Sequence, residues 1–243
     1  MPTKAVCTMT SERRFRPGAG LTVATLVALA ILIGLGSWQV GRIPEKRAIL
    51  NRIHVGLTTD PMPLPVHVDD PTMLDWRRVS LEGTVADADP LPVFATNQAG
   101  KGGYHLYLPV KTRFGMAVLV NFGWVPMDKL DVPLPRGQEM TLSGVFRTSA
   151  VPGFMSPENE PEKRIFYTAD VHEMAAVFGL RTKEYYHFRV IADPWQEDLL
   201  PEAGQARVDI PNNHFEYAMT WFGLALTLVG VYVAYGLRRA RKS

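Results

Sequence analysis

The chain has a single cysteine, Cys7, among 243 residues, and it precedes the first apolar run. Everything after it is free of disulfides and offers no thiolate to copper, zinc or an iron–sulfur cluster. Histidine is scarce too. The six are His54, His67, His105, His172, His187 and His214, and no two stand at HxxxH or HExxH spacing. The lack of clustered methionine and histidine also speaks against a copper chaperone. There is no G-x-S-x-G, no S-x-x-K and no recognisable pair of carboxylates, so nothing points to an enzyme. The glycine-rich stretch Asn97-Gln98-Ala99-Gly100-Lys101-Gly102-Gly103 lacks the Walker spacing. It reads as a hairpin loop open to contact with a partner.

Charge is missing as well, in two places. The 25 residues from Pro17 to Gly41 and the 21 from Tyr217 to Leu237 carry no charged side chain. About 20 apolar residues in a helix span the hydrocarbon core of a bilayer. The sequence therefore predicts a membrane protein with one span near each end. The charges that remain are placed unevenly. Lys4, Arg13, Arg14 and Arg16 against Glu12 give +3 before the first span, and Arg238, Arg239, Arg241 and Lys242 give +4 after the second. The chain total is +2, which leaves −5 for the middle. Basic flanks collect on the cytoplasmic side, so both termini are expected in the cytoplasm and the middle domain outside it. The basic residues belong to the two flanks, and nucleic acid is not an expected partner.

The first run is longer than the 7–15 residues of a signal h-region and ends without an A-x-A site. It reads as an uncleaved anchor with Trp38 at the interface. Ala24, Ala28, Ala30 and Gly34 offer small residues for close helix contact. A short amphipathic helix over 43–54 and a proline-rich connector from Thr59 to Pro65 are expected to follow. The expected segments are 1–16 cytoplasmic, 17–41 first span, 42–212 extracytoplasmic domain, 213–237 second span and 238–243 basic tail.

Period-two alternation predicts strands at Arg78–Val85 and Gln138–Phe146. Each holds a Leu-x-Gly, and glycine inside a strand marks a bulge or bend. Tyr104–Thr112 and Met116–Trp124 read as a hairpin turning at Arg113-Phe114-Gly115, and Tyr185–Ala192 as a further strand. Asp170–Leu180 reads as a helix with Asp170 and Glu173 forming a capping box, Val171, Met174 and Phe178 facing inward and Gly179 ending it. The expected fold is an α+β membrane protein: two transmembrane helices flanking one β-rich antiparallel domain, its sheet twisted and partly closed.

Asn213 and Glu216 fit a capping box for the second span, which makes His214 its first residue. The positive end of a helix disfavours an imidazolium, and a neutral imidazole is what a metal needs. Ala218, Trp221 and Ala225 follow on the same face, a surface on which a flat porphyrin could lie. Two readings stay open for His214, an interfacial polar anchor and an axial haem ligand. The other five histidines read as structural or solvent-facing, with His187 and Arg189 sharing a strand face.

Four stretches together resemble the surfeit-locus-protein-one family of oxidase assembly factors. They are Gly36-Ser37-Trp38-Gln39 with Arg42; Gly103-Tyr104, Pro109 and Val118 to Pro126; Pro157, Asn159, Pro161 and Asp170; and Pro211-Asn212-Asn213-His214-Phe215-Glu216-Tyr217-Ala218-Met219-Thr220-Trp221-Phe222-Gly223. The likeness runs from about residue 30 to 235. Two positions depart from the pattern. Phe122 stands where the family usually has a basic residue, and Phe166 near where it often has tryptophan. The resemblance implies a bacterial inner-membrane assembly factor for cytochrome c oxidase, not an enzyme. It also implies haem A as cofactor, with His214 as the iron ligand. Oxidase subunit I and haem A synthase are the implied partners besides the lipid bilayer. Trp221 would then pack on the ring, and Arg42 or Tyr104 would meet the propionates. The alternative within the same family is a membrane-anchored scaffold that binds subunit I and carries no haem.

Overall fold

The structure is a computed structural model, and it describes residues 18–97, 99–196, 200–204, 206 and 213–239. These fall into two compact units. One lies within Asn51–Asp209, and the other combines the described residues before Asn51 with those after Asp209.

Among the described residues the first unit is built on seven strands: β1 (Met62–Pro63), β2 (Arg78–Val85), β3 (Leu91–Thr96), β4 (Gly102–Thr112), β5 (Ala117–Pro126), β6 (Glu139–Thr148) and β7 (Tyr185–Ala192). They lie in the order β1-β2-β6-β7-β5-β4-β3, and β2 also pairs with β4. That last pairing closes β2, β6, β7, β5 and β4 into a five-stranded barrel. Strand β2 makes this possible by dividing one of its edges. Met62 and Pro63 pair with Val79 and Ser80, and beyond them Gly83 to Val85 pair with Val110 to Thr112.

The wholly antiparallel sheet expected from the sequence is corrected here. The β5–β7 pair is parallel, and so is the short β1–β2 pair. The reason is arithmetic. Neighbours in a closed ring of five cannot all run in opposite directions, so at least one pair must be parallel. The connector from Thr59 to Pro65 is also less irregular than expected, since Met62–Pro63 forms a strand within it.

Alternate side chains fill the barrel. Val79, Leu81, Val85, Val110, Val120, Phe122, Phe146, Phe188 and Val190 are all buried in one core. The two glycines of the Leu-x-Gly repeats share this inward face. A Cβ on Gly83 would meet the Lys111 carbonyl oxygen at 2.5 Å, and one on Gly144 would collide with the Ile191 carbonyl. Neither glycine marks a bend. Both give room where neighbouring strands approach closely.

A second core lies outside the barrel wall. Leu91, Val93, Tyr107, Leu119, Phe166, Val171, Met174 and Tyr185 are packed together there. The short helix α2 (Val171–Val177) supplies part of this layer. Asp170 caps it, accepting from the His172 and Glu173 amides. The expected reciprocal half of the capping box is absent, because Glu173 Oε2 accepts instead from Asn159 Nδ2 at 2.6 Å. Asn159 is fully engaged. Its Oδ1 accepts from Tyr167 N at 2.8 Å and Thr168 N at 2.9 Å, and Nδ2 also donates to the Thr168 carbonyl at 2.9 Å. Strand β5 is covered from both sides and buried from Ala117 to Val125, which accounts for its unbroken apolar run.

The second unit holds most of two long helices. In place of a span and a separate short helix, α1 (Ala19–Thr58) is one continuous helix of 40 residues with Pro44 inside it. Helix α3 (His214–Arg239) has 26 residues. Both contain stretches long and apolar enough to cross a membrane.

Gly144→Val is expected to destabilise the barrel by about 1–3 kcal/mol, the usual cost of overpacking a tight core. Gly34→Val, with nothing within 4 Å of its Cβ position, leaves stability unchanged. Denaturant unfolding of the detergent-purified protein followed by tryptophan fluorescence measures both.

Candidate functional site

Helix α3 begins at His214, as its sequence predicts. The Tyr217 amide donates to the Asn213 carbonyl at 3.1 Å, and Glu216 sits in the first turn. His214 is half-buried. Its Nδ1 lies 2.7 Å from Oε1 of Gln39 on α1. An amide oxygen only accepts, so the imidazole proton belongs on Nδ1. That leaves the lone pair on Nε2, which has no partner among the described residues. A ring held at one nitrogen with the other free is the arrangement of a metal-ligating histidine. No group of three or more His, Cys, Asp or Glu able to hold a metal occurs among the described residues. A haem iron, carried by its own macrocycle, would need only a single nitrogen donor from the protein. In that respect His214 fits.

In the sequence Gln39 stands out only as part of a motif. A sharper signal is there all the same, since a glutamine within an uncharged apolar helix needs a polar partner. The two helices make a matching bond at the other end of their contact, where Thr22 Oγ1 lies 2.8 Å from the Tyr232 hydroxyl. Between these bonds runs an antiparallel seam. Its α1 side is Thr22, Thr25, Leu29, Leu32, Gly36 and Gln39, spaced alternately three and four residues. That is the spacing of a two-helix seam. Gly36 belongs to it because a Cβ there would meet the Phe222 ring at 2.8 Å. Of the small residues expected to line the contact, Ala24, Ala30 and Gly34 are exposed, and only Ala28 is half-buried.

The face of α3 below His214 is corrected in the same way. Ala218 and Ala225 are 3% and 6% exposed, and Trp221 between them is half-buried. These residues share the face that His214 presents to α1, so the face is a helix contact and not an open bed for a porphyrin. Arg42 lies one turn beyond Gln39 on α1, exposed and ion-paired with Glu45. Tyr104 belongs to the barrel unit, where its ring stands edge-on to Phe94 at 6.1 Å. The structure thus brings His214 and Gln39 into contact and sets Trp221 in the same seam. Arg42 and Tyr104 each have partners of their own.

Phe122 accounts for one departure from the family pattern. It is wholly buried inside the barrel, edge-on to Trp195 at 5.9 Å. A residue pointing there has no access to a partner or a propionate. The Asn97 loop joins β3 to β4 as expected, and it is held by its own asparagine. Asn97 Oδ1 accepts from Ala99 N and Lys101 N, each at 3.0 Å.

The barrel wall carries a polar group of which the sequence marks only His187 and Arg189. His187 stacks near His172, with ring centres 4.9 Å apart. Arg189, on the same face of β7, donates to the Tyr107 hydroxyl at 2.9 Å. His105 lies close to Arg189. Burial, with the Arg189 charge beside it, pushes the His105 imidazole down to about 4, against a tendency of the Gly123 backbone to raise it.

Two long apolar helices in contact, joined in sequence by a closed five-stranded barrel, define the class of protein. Its family follows from comparison with known proteins. The model of the SURF1 family matches residues 26–226, and the chain belongs to that family. It is 29% identical to a SURF1-like protein of Rickettsia felis over 218 residues, 88% of this chain and 95% of that protein. It is 29% identical to Surfeit locus protein 1 of Mus musculus over 226 residues, 82% and 70% of the two chains. With Surfeit locus protein 1 of Homo sapiens the identity is 27% over 215 residues, 79% and 69%.

His105 sets an expectation for pH. Its ring titrates near 6.5 when unfolded and near 4 when folded. Between these values the unfolded chain binds the extra proton, so acid favours unfolding. This contribution is fully present above pH 6.5 and is lost as the pH falls towards 4. Denaturant unfolding at pH 7 and at pH 5 should show that loss in the wild type and a smaller one in His105→Gln.

Proposed function

We propose that the protein is an assembly factor for a haem–copper terminal oxidase, holding haem A for insertion into, or retention by, oxidase subunit I. The observation that carries this reading is the Gln39–His214 hydrogen bond. It fixes the imidazole at one nitrogen and leaves Nε2 without a partner among the described residues, at the end of a helix contact. Membership of the SURF1 family and two helices able to cross a membrane support it. The charge balance supports a cell inner-membrane location with both termini cytoplasmic and the barrel periplasmic. Haem A synthase is a second partner on this reading, as the source of the cofactor.

Haem A would bring an iron that a neutral imidazole nitrogen can bind. In this reading His214 would hold that iron through Nε2. Gln39 holds the ring in the required tautomer and keeps it from turning. Trp221 lies two turns along the same seam, and Arg42, exposed one turn beyond Gln39, is the residue assigned to the propionates. No proton transfer or bond cleavage is assigned to any residue, in keeping with a carrier.

The test is an absorption spectrum of protein purified in detergent from cells that make haem A. The expected result is a reduced-minus-oxidised haem A signal in the wild type that His214→Ala abolishes. Gln39→Leu should retain the pigment with shifted bands and about 10–100-fold weaker binding, the usual effect of losing a partner that orients a ligand. Gln39→Glu, which still accepts from Nδ1, should restore tight binding. Colourless wild type that still co-purifies with subunit I would replace the carrier with a haem-free scaffold. Equal spectra in wild type and His214→Ala would move the ligand elsewhere.

A further inference from the structure

The outer wall of the barrel holds more positive charge than it neutralises. Arg147 on β6 and Arg189 on β7 stand directly opposite each other. Opposed side chains on one face lie about 5 Å apart at Cβ, and like charges there repel. One carboxylate answers them. Asp75 Oδ1 accepts from Arg147 Nε and from the Thr148 amide, each at 3.0 Å. The Arg147 guanidinium also lies over the Trp76 ring, 3.5 Å from its centre. Trp76 holds a φ of 71°, a conformation that bulky residues rarely adopt.

Arg189 is left without a carboxylate among the described residues. One of its terminal nitrogens donates to the Tyr107 hydroxyl, while its Nε is buried with no partner among the described residues. Tyr107 is itself buried, and in accepting that bond it keeps its own proton to donate. His105 adds an unpartnered, buried Nδ1 close by. A buried charged donor without an acceptor is costly, and native structures seldom keep one without use.

We propose that Arg189, Tyr107 and Arg147 form an oxyanion site, in which a carboxylate or phosphate group accepts from Arg189 Nε and the Tyr107 hydroxyl while Arg147 supplies a second charge. The planar guanidinium fork matches two oxygens of either group. Two arginines against one aspartate leave a single positive charge for the ligand to neutralise. The site lies wholly within the barrel unit and does not depend on haem binding.

The experiment is calorimetric titration of the full-length, detergent-purified protein with inorganic phosphate and, separately, with succinate. Saturable binding is expected, and whichever probe binds more tightly tells a phosphate ligand from a carboxylate one. Arg189→Gln should weaken binding at least about tenfold, the loss of one charge-assisted bond. Arg113→Gln, an exposed arginine paired with Glu82, should leave binding unchanged. Tyr107→Phe is the second variant, expected to weaken binding even if Arg189→Gln fails to fold. Absence of saturable binding with both probes overturns the proposal. So does binding that Arg189→Gln or Tyr107→Phe leaves intact.

Discussion

A closed ring with an odd number of strands must contain at least one parallel pair, and that constraint organises the barrel. The chain meets it by joining β5 to β7. Strand β6 lies between them in sequence and pairs with β2 on one side and β7 on the other. The closure also decides where side chains are unwelcome. Strands pressed into a small ring approach closely at Gly83 and Gly144. The same closure leaves a wall whose outer face must be covered, and β3, α2 and the loop clasped by Asn159 cover much of it. Arginine survives on that face only where a carboxylate, a hydroxyl or an aromatic ring stands beside it.

The helical unit follows a different rule. An apolar seam between two helices has little to fix its register, since one leucine contacts another about as well as a third. Polar groups are more particular, because in an apolar setting each must find its partner. Thr22 with Tyr232 and Gln39 with His214 tie the two ends of the seam. Between them the alternation of three and four residues carries small side chains at Gly36, Ala218 and Ala225. The histidine proposed as the iron ligand is thus part of what aligns the helices. Changing it affects the contact as well as the ligand.

Much of this architecture is legible in local pattern. The bounds of β2 and β7 are those their alternation predicts, and α3 starts at His214 as its flanking residues imply. What local pattern misses is hidden by composition or by distance. Pro92 disguises β3, since proline argues against a strand, yet here the strand pairs along only one main edge and tolerates it. Strand β1 lies inside a proline-rich connector. The parallel pair is invisible because alternation identifies strands without counting how many close a ring. The Gln39–His214 bond joins residues 175 positions apart, beyond the reach of any periodicity. The bed expected for a porphyrin on Ala218 and Ala225 fails for a related reason. A stripe of small residues has the same spacing whether a ligand or a second helix lies on it.

Strand β7 is the last strand among the described residues, yet it sits in the middle of the sheet with β6 on one side and β5 on the other. During synthesis every other described strand exists before it. Until Tyr185–Ala192 has been made, β5 and β6 each present an unpaired edge, and exposed edges are sites of mispairing and aggregation. A chain cut short ahead of Tyr185 would not be a barrel missing one stave. It would be an open sheet with its keystone absent, carrying two edges for quality-control proteases to find.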